Sequence, residues 1–229
     1  MNVTAVVPAA GIGSRIARKK GPRKPFLIVK GRPILVHTLN ALENSKYIND
    51  IIVVVHNKDV GQWKSIASRY RLKKIRNIIA GGKTRHESVK KGLSFIHGSC
   101  DMVLIHDGVR PLISGRIIRD TIKACKRYGA AVAGMPVTST VKTVTKALRV
   151  ESTPNRKRLY IAQTPQVFKK DIILRAYKRY AMGRGATDDS MLVERLKIKV
   201  KMVPGSYDNI KITTPKDLLL AESILMGRR

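Results

Sequence analysis

Val3 to Arg15 read V-T-A-V-V-P-A-A-G-I-G-S-R, an apolar run that turns at once into small residues and glycine and ends on arginine. The first half reads as a buried strand and the second as a turn at its tip. Lys24 follows shortly, in P-R-K-P-F-L. Glycine lets backbone approach a ligand closely, and amides exposed at such a turn can point at phosphate oxygens. Arg15 and Lys24 then supply charge where a phosphoryl centre would react. Two commoner phosphate loops do not fit. A dinucleotide fingerprint calls for glycine where Ile16 stands, and no Gly-Lys-Ser/Thr closes the turn as a Walker loop requires.

Outward from this stretch, apolar runs alternate with helical patterns. Pro33–Glu43 places Ile34, Leu35, Thr38, Leu39 and Leu42 on one helical face. Asp50–Val55 is a continuous β-branched run, the pattern of a strand covered on both faces, and Val60–Tyr70 follows it as a helix. Ile75–Ala80 leads into Gly81-Gly82 and a helix over Thr84–Ile96. Asp101–Ile105 is again a strand, Ser114 caps a helix reaching Tyr128, and Ala130–Met135 resumes the sheet. This rhythm predicts a doubly wound, mostly parallel α/β sheet.

The rhythm breaks over 137–163, where β-branched residues and charges interleave around Pro154-Asn155. That stretch reads as a projecting β-hairpin arm. Helices over Lys170–Tyr180, Asp188–Leu196 and Pro215–Met226 follow, with a strand near Lys199–Val203.

In open α/β sheets ligands bind beyond the carboxyl ends of the strands, and the chemistry-bearing residues gather there. The first strand leads to Pro8, Ala9, Ala10, Gly11, Gly13, Arg15 and Lys24, and the third to G-G-K-T-R-H-E-S, with Gly82, Arg85 and Ser88. The fourth ends in H-D-G-V-R-P, carrying Asp107 and Arg110. Thr140 lies beyond the fifth, and Lys211 lies in N-I-K near the end of the chain. Gly82, Arg85 and Ser88 are suited to a base edge. Asp107 is suited to a divalent cation or a substrate hydroxyl, and Arg110 to a phosphate. His86 and His106 form no triad or ligand set and read as structural.

Composition narrows the class. With 229 residues and 43% hydrophobic content, the chain can bury a core as one domain, 1–229, with the arm inside it. No apolar run approaches the length of a membrane helix, and Cys100 and Cys125 have no metal spacing, which suits reduced thiols and a cytoplasmic setting. Forty-six basic and fifteen acidic residues give a net charge of +31. The cations are scattered and aromatics are only 5%, so nucleic-acid binding is expected to be at most nonspecific.

As an ordered set these segments carry a resemblance. A-V-V-P-A-A-G-I-G-S-R (5–15), K-P-F-L (24–27), G-R-P-I-L-V-H-T-L (31–39) and G-G-K-T-R-H-E-S-V (81–89) form its first half. H-D-G-V-R-P (106–111), P-V-T-S-T-V-K (136–142), Q-T-P-Q-V-F (163–168), A-T-D-D-S (186–190) and D-N-I-K-I-T-T-P-K-D (208–217) form its second. The chain resembles the 2-C-methyl-D-erythritol 4-phosphate cytidylyltransferase family over nearly its full length.

The resemblance implies that Arg15, Lys24 and Lys211 are catalytic, with Arg15 and Lys24 on the triphosphate of CTP. Pro8, Ala9, Ala10, Gly11, Gly13, Gly82, Arg85, Ser88 and Asp107 would contact CTP. Arg110, Thr140, Arg156, Thr164 and Lys211 would hold the polyol phosphate, and Mg²⁺ would be the cofactor, with Asp107 as its protein contact. The 137–163 arm would join a homodimer, carrying Arg156 (or Arg158 in a shifted register) into the partner's site. Arg23 stands where the family usually has proline, and Ser139 where it usually has aspartate. The competing expectations are transfer to ribitol 5-phosphate or another sugar phosphate, and a non-catalytic basic RNA-binding protein on the same fold.

Overall fold

The computed structural model describes residues 1–11, 22–180 and 185–227. Strand β1 (Val3–Ala9) buries every residue but Pro8, as its unbroken apolar run demands. A small ribbon of β2 (Ile28–Val29) and β3 (Arg32–Pro33) leads into α1 (Ile34–Glu43), which buries the expected apolar face together with Val36. Then come β4 (Asp50–Val55), α2 (Val60–Arg69), β5 (Ile75–Ala80) and α3 (Arg85–Leu93). They are followed by β6 (Met102–Ile105), α4 (Gly115–Tyr128) and β7 (Ala130–Pro136). After β8 (Thr143–Val144) and β9 (Val150–Ser152) come β10 (Tyr160–Lys169), α5 (Lys170–Arg179), α6 (Asp189–Arg195), β11 (Lys201–Pro204) and α7 (Pro215–Gly227).

Seven strands form one sheet in the order β11-β7-β10-β6-β1-β4-β5. Neighbours are parallel except β10, which runs antiparallel to both β6 and β7. The mostly parallel α/β fold is therefore as expected. Side chains alternate between the two layers with the period of a strand. Val3, Ala5 and Val7 of β1 and Ile51 and Val53 of β4 pack with α1, α2 and α4. Val6, Ile52 and Val54 pack on the other side, with α3, α5 and α6.

Two expectations need correction. Of the arm anticipated over 137–163, only β8 and β9 pair as a hairpin, exposed at every strand residue, and residues 160–163 already belong to the central sheet. The ten-residue β10 has no clean apolar alternation, because Gln163, Gln166 and Pro165 interrupt it. The sheet accommodates Pro165 where the pairing with β7 shifts register, between Ala162 and Gln166. The helix expected to reach Ile96 ends at Leu93, with Ser94 as its C-cap.

Helix caps agree with the sequence. Thr84 accepts the Glu87 amide, and Ser114 accepts that of Ile117.

Candidate active site

The carboxyl ends of β1, β4, β5 and β6 open on one side of the sheet into a cleft of about 780 Å³. Pro8, Ala9, Ala10 and Gly11 form one wall, Gly81 to Arg85 and Ser88 another, and Lys24, Asp107 and Lys211 complete it. Lys24, Lys83, Arg85, Lys91 and Lys211 outnumber Glu87 and Asp107 along its walls, so the lining is cationic and suits a polyanion.

The glycine turn is shaped by contact. A side chain at Gly81 would collide with Ala10 and with the Ser88 hydroxyl, and one at Gly82 with Glu87. Ser88, at the first turns of α3, accepts the Gly82 amide at 3.1 Å and donates to the Thr84 carbonyl at 2.9 Å. Its hydroxyl therefore holds the turn against the helix.

Lys24 opens a short 3-10 turn and is buried, its ammonium 3.4 Å from the Thr213 carbonyl. Its neighbour Arg23, the departure from the family pattern, closes on Asp59 through Nε and Nη2, at 2.7 and 2.6 Å. That bidentate pair ties the segment carrying Lys24 to the start of α2.

Asp107 is the electrostatic centre. It is buried, with Oδ1 3.1 Å from Arg85 Nε and Oδ2 2.9 Å from Lys211 Nζ and 3.5 Å from Arg110 Nε. Burial alone would raise its pKa. Arg85, Lys211 and Arg110 outweigh burial and hold it well below the usual carboxylate range. Arg110 itself donates to the Asn209 carbonyl at 2.7 Å, which ties the segment bearing Lys211 to the turn after β6.

Beneath Asp107 lies a directional chain. The Thr164 hydroxyl accepts the Asp107 amide at 3.1 Å and lies 3.0 Å from His106 Nδ1. The Arg110 carbonyl, 3.2 Å from Nε2, can only accept, so Nε2 carries the ring proton and the Thr164 hydrogen goes to Nδ1. Burial lowers the His106 pKa to about 4, which keeps the ring neutral. His106 is structural, as expected.

The expected site residues thus divide. Pro8, Ala9, Ala10, Gly11, Lys24, Gly82, Arg85, Ser88, Asp107 and Lys211 share the cleft. Arg110 and Thr164 act from behind, gripping Asp107 and its backbone. Thr140 and Arg156 are exposed outside it, with Arg156 bonded to the Thr138 carbonyl at 2.8 Å. Gly13 and Arg15 lie outside the described residues. Sequence reading assigned no role to Gln166, Tyr177 or Asp189, which form a buried polar network with Arg85. The Asp188-Asp189 pair ahead of an apolar helix was the available signal, since it reads as an N-cap.

Among the described residues no group of three or more His, Cys, Asp or Glu could hold a metal ion, and none of the helices is long and apolar enough to cross a membrane.

This geometry has relatives. The family model described as 2-C-methyl-D-erythritol 4-phosphate cytidylyltransferase matches residues 3–227. The chain belongs to that family. A 2-C-methyl-D-erythritol 4-phosphate cytidylyltransferase of Syntrophus aciditrophicus is 46% identical over 225 residues, covering 97% of this chain and 95% of that protein. One of Alkaliphilus metalliredigens is 42% identical, covering 99% and 94%. The crystal structure of 4-diphosphocytidyl-2C-methyl-D-erythritol synthase from Anaerococcus prevotii superposes with a TM-score of 0.88 at 36% identity, covering 98% and 96%. That of a 2-C-methyl-D-erythritol 4-phosphate cytidylyltransferase from Thermus thermophilus gives 0.79 at 30%, covering 99% and 100%. The chain is accordingly an enzyme, a cytidylyltransferase, and its cleft is the candidate catalytic centre of that family.

Proposed function

We propose that this enzyme transfers the cytidylyl group of CTP to 2-C-methyl-D-erythritol 4-phosphate, releasing pyrophosphate, as a step of the non-mevalonate route to isoprenoid precursors. The carrying observation is the convergence of Lys24, Asp107, Lys211 and the Gly81-Gly82 turn on one cationic cleft. The nucleophile is a phosphate oxygen of the acceptor, already anionic at neutral pH, so no protein base has to take a proton. It attacks the α-phosphorus of CTP in line. The new oxygen–phosphorus bond forms as the bond to the pyrophosphate oxygen breaks, and pyrophosphate leaves with both bonding electrons.

Catalysis is then positioning and charge stabilisation. The Pro8–Gly11 backbone and the Gly82–Ser88 turn would hold the nucleotide. Arg15 and Lys24 would take the charge that grows on the triphosphate. Asp107, kept ionised and gripped from behind by Arg110, would orient Lys211 towards the acceptor.

A divalent cation, which the family implies, finds a poor protein partner in Asp107. Its two oxygens already serve three cations, which offset its charge and weaken its pull on a fourth. Mg²⁺ would be held by the phosphates of CTP itself, where it offsets their charge.

Further, the exposed 143–152 hairpin and the exposed apolar Val144, Leu148, Val150, Tyr160 and Ile161 suit an arm that clasps a second copy. In that homodimer Thr140 and Arg156 would complete the partner's acceptor site. The single domain and its cytoplasmic setting belong to the same reading, which the free, buried Cys100 and Cys125 suit.

The test is pyrophosphate release with CTP and a panel of acceptors: 2-C-methyl-D-erythritol 4-phosphate, ribitol 5-phosphate and other polyol phosphates. The first should give the highest kcat/KM. A higher value for ribitol 5-phosphate would reassign the acceptor, and no release with any acceptor would remove the activity.

A further inference from the structure

Arg85 stands between two carboxylates. Its Nη1 and Nη2 reach the two oxygens of Asp189 at 3.0 and 2.7 Å, and its Nε reaches Asp107 at 3.1 Å. Asp189 has only 1% exposure and is held on three sides. Its Oδ1 accepts the Tyr177 hydroxyl, and its amide, with that of Ser190, donates to Gln166 Oε1. Gln166 Nε2 in turn donates to Asp188, the N-cap of α6, at 2.8 Å. Tyr177 also stacks on His86, the residue after Arg85, with ring centroids 4.5 Å apart. This bracing joins β10, α5 and α6 to one side chain at the edge of the cleft.

The consequence follows from guanidinium geometry. An arginine fork prefers a carboxylate in two parallel hydrogen bonds. With both Nη groups turned to the two oxygens of Asp189, Arg85 meets Asp107 through Nε alone, on Oδ1. In that pose Asp107 Oδ2 faces Lys211 at 2.9 Å and, more distantly, Arg110 Nε at 3.5 Å. Without the anion at 189, Arg85 would swing its fork onto Asp107 and draw that oxygen from Lys211. Asparagine at 189 would also present an amide NH₂ to the guanidinium, donor against donor.

We propose that Asp189, braced by Tyr177 and Gln166, is a positioning residue that acts through Arg85 to divide the two oxygens of Asp107 and so aim Lys211 for cytidylyl transfer. The inference rests on the cytidylyltransferase reading and deepens it, since it assigns work to residues outside the cleft.

The experiment compares wild type with Asp189→Asn, Asp189→Glu and Tyr177→Phe. Each is assayed with CTP and the acceptor on which wild type is fastest, so a wrong acceptor assignment shows in wild type and leaves the comparison intact. CTP affinity is measured separately by calorimetry. Asp189→Asn should lower kcat about a hundredfold, as a displacement of an ångström or so can, while the Kd for CTP stays within about threefold. Asp189→Glu should regain most of the loss, and Tyr177→Phe should lower kcat about tenfold with the same split.

Unchanged kcat in folded Asp189→Asn would overturn the proposal. So would parallel loss of kcat and CTP affinity in a folded protein, which marks general disruption of the site. Should Asp189→Asn fail to fold, Tyr177→Phe decides, and wild-type kcat in that variant would be equally fatal.

Discussion

Lys211 Nζ lies 2.9 Å from Asp107 Oδ2, joining the segment before α7 to the turn that ends β6. Neither residue owes its place to its sequence neighbours. Asp107 is seated by the Thr164 hydroxyl of β10, and Lys211 follows Asn209, whose amide nitrogen donates to the Thr164 carbonyl at 2.8 Å. One strand thus positions both members of the ion pair.

Lys211→Met keeps the stem and removes the charge. Asp107 retains Arg85 and Arg110, so the fold should survive. Turnover should drop by about two orders of magnitude, the scale of losing one charge contact to the transition state. Steady-state kinetics with saturating CTP, backed by thermal melting, reads both effects. Wild-type turnover would remove Lys211 from the mechanism.

Lys24→Ala deletes the buried ammonium beside the nucleotide wall. We expect kcat to fall roughly a hundred- to a thousandfold. The Arg23–Asp59 pair should continue to hold the chain segment, so circular dichroism should match wild type. Near-normal turnover would refute the placement of the triphosphate.

His106 makes stability depend on pH. Its folded pKa of about 4 lies below the usual histidine value near 6.5, so the unfolded chain binds a proton between these limits and the folded one does not. Stability should be full above about pH 6.5, fall as pH is lowered, and level off for this group near 4. The loss is on the order of 3 kcal/mol. Urea unfolding across that range checks it, and His106→Gln should flatten the slope.

A shared site in the proposed homodimer makes a complementation test possible. Arg156→Ala and Lys24→Ala should each be inactive alone. Mixed and reassorted, they should regain about a quarter of wild-type turnover, because half the dimers are mixed and one of their two sites carries both residues. No recovery after verified subunit exchange would place Arg156 in its own chain's site or outside any site.

Much of the fold is legible in sequence because parallel strands buried on both faces have no polar side to hide. β1 and β4 read directly as apolar runs, and the helices between them as one-sided patterns. β10 escaped that reading for the opposite reason. Its Gln163, Thr164 and Gln166 are buried polar residues with work to do. They cap α6, receive the Asp107 amide and hold Asn209. A strand that serves as a polar scaffold loses the alternation by which strands are recognised.

The sequence by itself determined the alternating α/β plan, the glycine turns at strand ends and the residue types of a phosphate-binding cleft. These follow from backbone conformation and from local hydrophobic period. Only the tertiary structure decided which cations reach Asp107, that Arg85 is shared with Asp189, and that Arg23 closes on Asp59. Ion pairs between distant segments depend on strand order and on the direction each side chain takes from its own element, and neither is encoded within any one stretch of the chain.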